Sequence, residues 1–152
     1  MTNRGIRYQA AVMSGYRLLL LRCRVADGRA FWLLPGGGRE PGESEAECVL
    51  REVREEAGVD IVVGSILYEI PAEPPDGTYT SWRTYHGEIT RGEPRPGGGE
   101  GTAELTAVRW LALDRQEAWE PELQADPFLF PQLLRIRAAL CFPPPSLNVA
   151  AG

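Results

Sequence analysis

Residues 37–59 read GGREPGESEAECVLREVREEAGV, and this segment decides the fold of the chain. Between Ser44 and Ala57, apolar residues recur at steps of three and four, which is the period of an amphipathic helix. Gly58 follows them and is a typical residue just beyond the end of a helix. The sequence therefore predicts a helix over residues 44–57 with an apolar face formed by Ala46, Leu50, Val53 and Ala57.

The same helix carries a cluster of carboxylates. At about 100° per residue, Glu52, Glu55 and Glu56 project together, more than a quarter turn from the apolar face. Carboxylates with these spacings repel one another by a few tenths of a kcal/mol per pair. Mg²⁺ or Mn²⁺ would offset the repulsion, because hard cations prefer carboxylate oxygen and also hold phosphate oxygens. A solvated helix surface is the simpler interpretation, and the acidic cluster alone favours it.

Arg51 and two further features of the segment favour a metal site. Arg51 can pair with Glu55 four residues later, or with Glu43 across the preceding loop, and so orient a carboxylate. The acidic residues have few basic neighbours in the sequence. The glycine-rich turn before the helix lets a backbone carbonyl approach a metal or ligand, because no side chain stands in the way.

The segment resembles the Nudix box, written G-x5-E-x7-R-E-U-x-E-E-x-G-U with U a bulky aliphatic residue. Nine defined positions within 23 residues agree with this pattern, which makes it far more specific than a lone glycine motif. The flanks also look typical of the family, from about Gln9 to Ala112. The matching positions are Gly37, Glu43, Arg51, Glu52, Val53, Glu55, Glu56, Gly58 and Val59.

This resemblance implies an α+β fold, an α/β/α sandwich in which a mixed β-sheet lies between helices. It also implies that Glu52, Glu55 and Glu56 are metal ligands, joined by the backbone carbonyl of Gly37. Arg51 and Glu43 become supporting residues. Several family members use one more glutamate from a later loop, and the candidates here are Glu100 and Glu104, with Glu104 slightly preferred because it lies closer to a strand.

The activity implied is that of a divalent-metal-dependent hydrolase, with Mg²⁺ or Mn²⁺ as cofactor. It would cleave the pyrophosphate bond of a nucleoside diphosphate linked to another moiety, through attack of an activated water on phosphorus. The alternatives are a pyrophosphohydrolase of nucleoside triphosphates, including oxidised ones, and a Nudix-like module that binds nucleotides without cleaving them. Non-cleaving modules tend to lose box glutamates, and this chain keeps them all.

Substrate contacts would lie outside the box. Among the aromatic and basic residues of the predicted strands we select Arg83 for a substrate phosphate, and Trp82 and Tyr85 for a base. Aromatic residues in strands more often pack in the core or against a neighbouring strand. The partner is expected to be a small nucleotide-derived molecule. A homodimer is left open, because family members often form dimers.

The rest of the chain predicts strands and a second helix. Runs of β-branched, aromatic and aliphatic residues indicate strands at IRYQAAVMS, YRLLLLRCR, FWLLP, VDIVVGSILYEI, TYTSWRTYHGEIT and LTAVRWLAL. The glycine- and proline-rich segment RGEPRPGGGEG is interpreted as a flexible loop. A terminal helix is predicted from about Asp126 to Leu140, packed through Phe130, Leu133, Leu134 and Ile136.

Length and composition set the remaining expectations. With 152 residues, 43% of them apolar, the chain fits one domain at residues 1–142, and we expect a disordered tail at 143–152. It has no apolar run suited to a membrane span or a signal peptide, so we expect a soluble cytoplasmic protein. The net charge of −5 argues against a partner that is a long nucleic acid. Three widely spaced cysteines are expected to be reduced, namely Cys23, Cys48 and Cys141.

Overall fold

The computed structural model describes residues 5–72, 79–99, 103–140 and 142. The strands and helices follow one another as the sequence patterns predict, with a two-residue strand, a short 3₁₀ helix and one short α-helix in addition. Their order is β1 (Gly5–Ser14), β2 (Arg17–Arg24), β3 (Ala30–Leu33), β4 (Gly36–Gly37), α1 (Glu45–Ala57), β5 (Asp60–Pro71), β6 (Tyr79–Arg91), β7 (Glu104–Ala112), a 3₁₀ helix (Gln116–Ala118), α2 (Pro121–Ala125) and α3 (Leu129–Ala139).

The strands form one mixed sheet. Its main order is β3-β2-β1-β6-β5, while β4 pairs with β1 and β7 pairs with β2. The β1–β6 pair is parallel, with Tyr8 opposite Arg83, and the other pairs are antiparallel. The predicted mixed sheet is therefore confirmed.

Helices cover both faces of this sheet. Side chains alternate between the two faces along a strand. Accordingly Ala10 and Val12 of β1 pack in a cluster with Val49 and Val53 of α1. The intervening Ala11 and Met13 pack in a second cluster with residues of α2 and α3. The result is the predicted sandwich, with α1 on one side and α3 on the other.

The run Leu18–Leu21 explains why β2 lies at the centre of this core. Leu19 and Leu21 face α1, whereas Leu18 and Leu20 face α3, and all four are fully buried. A continuous apolar run suits a strand that is covered on both faces. Each such side chain stabilises the fold by about 1.5–3 kcal/mol relative to exposure.

Helix α1 begins and ends with capping interactions. The Ser44 hydroxyl accepts a hydrogen bond from the amide of Glu47, and the Glu47 carboxylate accepts one from the amide of Ser44. This reciprocal capping box satisfies two amide groups that the first turn would leave free. At the other end Gly58 adopts φ 71°, a left-handed conformation that suits glycine, and donates to the Arg54 carbonyl.

The predicted faces of α1 need correction. Ala46 is exposed, whereas Cys48 and Val49 are fully buried. Glu52 and Glu56 share the buried stripe, so they do not form a separate solvent-facing surface. The prediction of the buried face was wrong because it was based on apolar residues alone and placed every carboxylate on the solvent side.

The terminal helix is shorter than predicted. It spans Leu129–Ala139, because the Asp126 side chain accepts hydrogen bonds from the amides of Phe128 and Leu129 and so marks its start. Phe130, Leu133 and Ile136 pack as predicted, but Leu134 is 38% exposed and does not. Cys141 and the tail 143–152 lie outside the described residues. Cys23 and Cys48 are free and buried. None of the helices in the described ranges is long and apolar enough to cross a membrane.

Candidate active site

Two buried glutamates of α1 lie against the glycine strand β4. The amide of Gly36 donates to Oε1 of Glu56 at 3.0 Å. A Cβ atom on Gly37 would lie 2.4 Å from Oε1 of Glu52, so the Glu52 carboxylate would have to move. The missing side chain of Gly37 therefore lets the Glu52 carboxylate approach the strand backbone, whereas a Cβ atom on Gly36 would meet Tyr8 and Gln9 of β1.

The three predicted metal ligands differ in exposure. Glu52 and Glu56 are 3% and 6% exposed, whereas the side chain of Glu55 is 54% exposed. Transfer of a carboxylate from water into the protein interior is unfavourable unless charge or hydrogen bonds compensate for it. Two acidic side chains buried on one helix therefore suggest a role beyond solubility.

Arg51 is the cation that compensates this cluster. Its guanidinium donates to Glu43 at 2.7 and 3.0 Å, to Glu52 at 2.9 Å and to the Gly38 carbonyl at 3.1 Å. It also contacts Glu55 at 3.3 Å. Both pairings that the sequence left open are thus present. Hydrogen bonding to Arg51 lowers the pKa of Glu43 to about 2, and the same contacts raise the pKa of Arg51.

The composition of this cluster fits a divalent cation. Three box glutamates, Glu43, Glu52 and Glu55, contact one guanidinium, and carboxylate oxygen is the donor that Mg²⁺ and Mn²⁺ prefer. In this conformation no three His, Cys, Asp or Glu side chains of the described residues are arranged to hold a metal ion. Arg51 instead contacts Glu52 and Glu55 itself. The ligand set accordingly stays a prediction.

A buried thiol lies beside the predicted backbone ligand. Sγ of Cys48 donates toward the carbonyl oxygen of Gly37 at 3.8 Å. Burial is the main reason that the pKa of Cys48 is raised to about 12, with the charge of Glu43 as a further cause. Cys48 is therefore a neutral thiol at physiological pH, and it fills space under the glycine turn rather than acting as a nucleophile.

Of the two candidate bases beyond the box, only Glu104 lies among the described residues. Glu104 is the first residue of β7, and its side chain is 61% exposed and pairs with Arg24 at 2.5 Å. Glu100 lies outside the described residues. The sequence predicted a flexible loop before Glu100. Residues 92–98 of this loop are instead hydrogen-bonded through their backbone to the end of α1.

The predicted substrate residues do not form one group. Arg83 donates to both oxygens of Glu45 at 2.9 Å and to Glu69 at 2.5 Å, and the Tyr85 hydroxyl also donates to Glu45. Strand alternation places Trp82 on the opposite face of the sheet, away from α1. Only Arg83 and Tyr85 therefore lie on the side of the box helix.

Three residues of this region were not singled out from the sequence. Glu45 accepts hydrogen bonds from both Arg83 and Tyr85. The guanidinium groups of Arg83 and Arg39 each lie over the ring of Tyr8, at 5.7 and 5.9 Å from its centroid. Glu45 and Arg39 belong to the variable positions of the box, so its pattern gives no signal for them. The pairing of Tyr8 with Arg83 depends on the β1–β6 register.

Comparison with known proteins agrees with this architecture. The profile of the NUDIX domain matches residues 8–130. Because this match covers most of the chain, including α1 and β4, the chain belongs to the NUDIX domain family.

Two relatives match the chain over a shorter segment. The nucleoside triphosphatase NudI of Salmonella agona (strain SL483) is 46% identical over 56 residues, which cover 34% of this chain and 38% of that protein. NudI of Salmonella schwarzengrund (strain CVM19633) is 46% identical over 50 residues, which cover 30% of this chain and 36% of that protein. The match thus spans less than two fifths of the length of these relatives.

Solved structures share the fold over nearly the whole chain. The E. coli ORF135 protein superposes with a TM-score of 0.66 at 21% identity, covering 95% of this chain and 96% of its own. The MutT NUDIX hydrolase from Burkholderia pseudomallei gives 0.62 at 24% identity, covering 87% and 97%. An ADP-ribose pyrophosphatase from Streptococcus suis 89-1591 gives 0.64 at 21% identity, covering 90% and 92%. At these sequence identities, the similarity is evidence for a shared fold alone.

Proposed function

We propose that this chain is a divalent-metal-dependent hydrolase that cleaves the pyrophosphate bond of a nucleoside diphosphate linked to another moiety. The observation that carries the proposal is the burial of Glu52 and Glu56 against Gly36 and Gly37. A buried pair of carboxylates beside side-chain-free backbone suits a hard cation and a phosphate better than it suits a structural role.

In the proposed reaction, the site residues have different roles. Glu52, Glu55 and Glu56, with the Gly37 carbonyl, would hold Mg²⁺ or Mn²⁺. When bound, the cation supplies Lewis-acid stabilisation of charge on the phosphate oxygens and makes a water more acidic. Arg51 orients Glu52 and Glu55 through its hydrogen bonds, and Glu43 fixes Arg51 in turn.

A carboxylate must also accept the proton of the attacking water. Glu104, Glu100 and Glu56 are the candidates, and each would have to come within hydrogen-bonding distance of that water. In this conformation Glu104 is paired with Arg24 at 2.5 Å, so its use as a base requires that this exposed pair opens. Exposed ion pairs contribute about 0–1 kcal/mol, so opening it is easy.

The substrate is a small nucleotide-derived molecule in this proposal, and the reaction takes place in the cytoplasm. Arg83 and Tyr85 would contact the substrate from the sheet side, and Trp82 would do so only from the far face. A nucleoside triphosphate is the second candidate substrate, favoured by the 46% identity with the nucleoside triphosphatase NudI over 56 residues. Non-catalytic binding is the alternative that the complete set of box glutamates disfavours.

One assay tests the proposal. The protein is incubated with ADP-ribose, nucleotide sugars, dinucleoside polyphosphates and nucleoside triphosphates, each with Mg²⁺, with Mn²⁺ and with a chelator. We expect metal-dependent cleavage of at least one substrate and none with the chelator. Activity on triphosphates alone would select the second candidate. Nucleotide binding without metal-dependent cleavage of any substrate would establish a binding module instead.

A further inference from the structure

The segment 92–98, which we call the capping loop, closes the C-terminal end of α1. The last four carbonyls of a helix lack partners within that helix. The Arg54 carbonyl accepts from Gly58 at 3.0 Å, and the remaining three accept from the capping loop. These three bonds are Arg95 N to Ala57 O at 2.9 Å, Gly97 N to Glu56 O at 2.8 Å and Gly98 N to Glu55 O at 3.2 Å.

The sequence of the capping loop suits this contact residue by residue. Pro94 and Pro96 have no amide hydrogen, and they alternate with Arg95 and Gly97, whose amides both bind the helix. Proline also fixes its own φ angle, which restricts the loop before it docks. The composition that predicted a flexible linker therefore encodes a stiff segment with donors at alternate positions.

Close backbone approach explains the glycines. A Cβ atom on Gly97 would lie 1.9 Å from the carbonyl oxygen of Glu55, whereas one on Gly98 would meet no atom within 4 Å. A Cβ atom on Gly58 would lie 3.3 Å from the Arg95 side chain, and one on Gly92 would lie 3.0 Å from the Gly58 carbonyl. Gly97 is thus the residue whose missing side chain permits the contact.

We propose that the capping loop is a positioning element of the active site, which fixes the last turn of α1 and thereby the carboxylates of Glu55 and Glu56. The two carbonyls that Gly97 and Gly98 bind belong to these same two residues. A helix end without such partners frays, and a frayed turn would let both side chains move. The Arg95 side chain, lying against Gly58, adds positive charge at the negative end of the helix dipole.

This inference rests on the proposed function, since it assigns Glu55 and Glu56 to the metal-binding machinery. The test compares Gly97→Ala with Gly98→Ala. Both variants add one methyl group to the same loop and keep the amide hydrogen, and neither native residue has a positive φ angle. Only Gly97→Ala forces the loop away from the helix.

We expect three effects in Gly97→Ala and none in Gly98→Ala. The Arg95 and Gly98 amides should exchange hydrogen about 10-fold faster, because they leave their carbonyl partners. The dissociation constant for Mn²⁺ alone should rise about 10-fold, the lower end of the range for residues that support metal ligands. With Mg²⁺ and the best substrate of the panel, kcat should fall while KM changes less than twofold.

The outcomes separate the two proposals. Faster amide exchange in Gly97→Ala with unchanged Mn²⁺ affinity and kcat would overturn the positioning role, and so would no change in exchange. Absence of metal-dependent turnover in the wild-type protein would overturn the proposed function, whatever the exchange rates are. If Gly97→Ala does not fold, Pro96→Ala replaces it, because this change keeps the contacts and only loosens the loop. If Pro96→Ala speeds amide exchange and weakens Mn²⁺ binding by smaller amounts, the result supports the positioning role. If Pro96→Ala changes neither quantity, the positioning role is overturned.

Discussion

Nε of Arg51 lies 2.7 Å from Oε2 of Glu43, across the loop that leads into α1. The Glu43 side chain is only 13% exposed and that of Arg51 only 24%, so solvent screens this pair less than an ordinary surface pair. The pair connects the turn after β4 to the middle of the helix. It thereby connects β4 to the carboxylates of α1 that lie against this strand.

The stability of this connection should depend on pH. The pKa of Glu43 is lowered from 4.5 to about 2. The contribution of its charge to the free energy of unfolding is therefore fully present above pH 4.5 and is lost as the pH falls toward 2. We expect Glu43→Gln to melt at a lower temperature than wild type at pH 7 without metal. The difference should shrink between pH 4.5 and 2, because the wild-type carboxyl is then protonated as well. Glu117→Gln, at an exposed residue of the 3₁₀ helix, is the control. A difference that stays constant down to pH 2 would contradict a role for the charge.

Substitution of Glu55 or of Glu56 should remove most of the activity without unfolding the protein. Glu56→Gln keeps an oxygen that can accept from the Gly36 amide but removes the charge, and Glu55→Gln removes the charge from an exposed side chain. We expect both variants to stay folded by circular dichroism and to lose most of their Mg²⁺-dependent turnover at limiting metal. Wild-type rates in both variants would refute the assignment of the metal site to this helix.

A side chain at position 37 should displace the Glu52 carboxylate. In Gly37→Ala the new methyl group would lie 2.4 Å from Oε1 of Glu52, so that the buried carboxylate must move. We expect kcat to fall at least about 10-fold and stability to fall by about 1–3 kcal/mol, the usual effect of overpacking. Gly64→Ala is the matched control, because its methyl group would have no atom nearer than 3.4 Å. Equal kcat in both variants would show that the approach of Glu52 to β4 is unimportant.

The sequence predicted the sheet and the box helix well because both depend on local patterns. The apolar residues of β1 and the continuous apolar run Leu18–Leu21 can be recognised from the sequence alone. The ends of α1 are equally local, since Ser44 and Gly58 act on neighbouring backbone groups. Such features need no knowledge of distant partners.

The features that the sequence did not predict depend on tertiary contacts. Burial of Glu52 depends on its contact with Gly37 of β4, and helix periodicity contains no information about that strand. Gly97 was interpreted as a source of flexibility, although a carbonyl of α1 occupies the space where its side chain would be. Likewise, the bond between Tyr85 and Glu45 joins residues 40 positions apart. In each case the deciding atom belongs to a different element.

The identity of the general base is the last prediction. Glu104 begins β7, so the sheet fixes its backbone, whereas Glu100 lies outside the described residues. Because a base that is held firmly reaches its water more reliably, we rank Glu104 ahead of Glu100. At saturating metal, one of Glu104→Gln and Glu100→Gln should lose about 100-fold in kcat, the typical scale for a general base.

Arg24→Gln supplies the control for this comparison, because it removes the cation that contacts Glu104 at 2.5 Å and leaves the carboxylate in place. If Glu104 is the base, Arg24→Gln should raise kcat, because Glu104 no longer has to leave Arg24 before it accepts the proton. If Glu100 is the base, kcat of Arg24→Gln should match that of the wild type. Full kcat in both glutamate variants would exclude both residues and would leave Glu56, which already lies within the box cluster, as the base to test next.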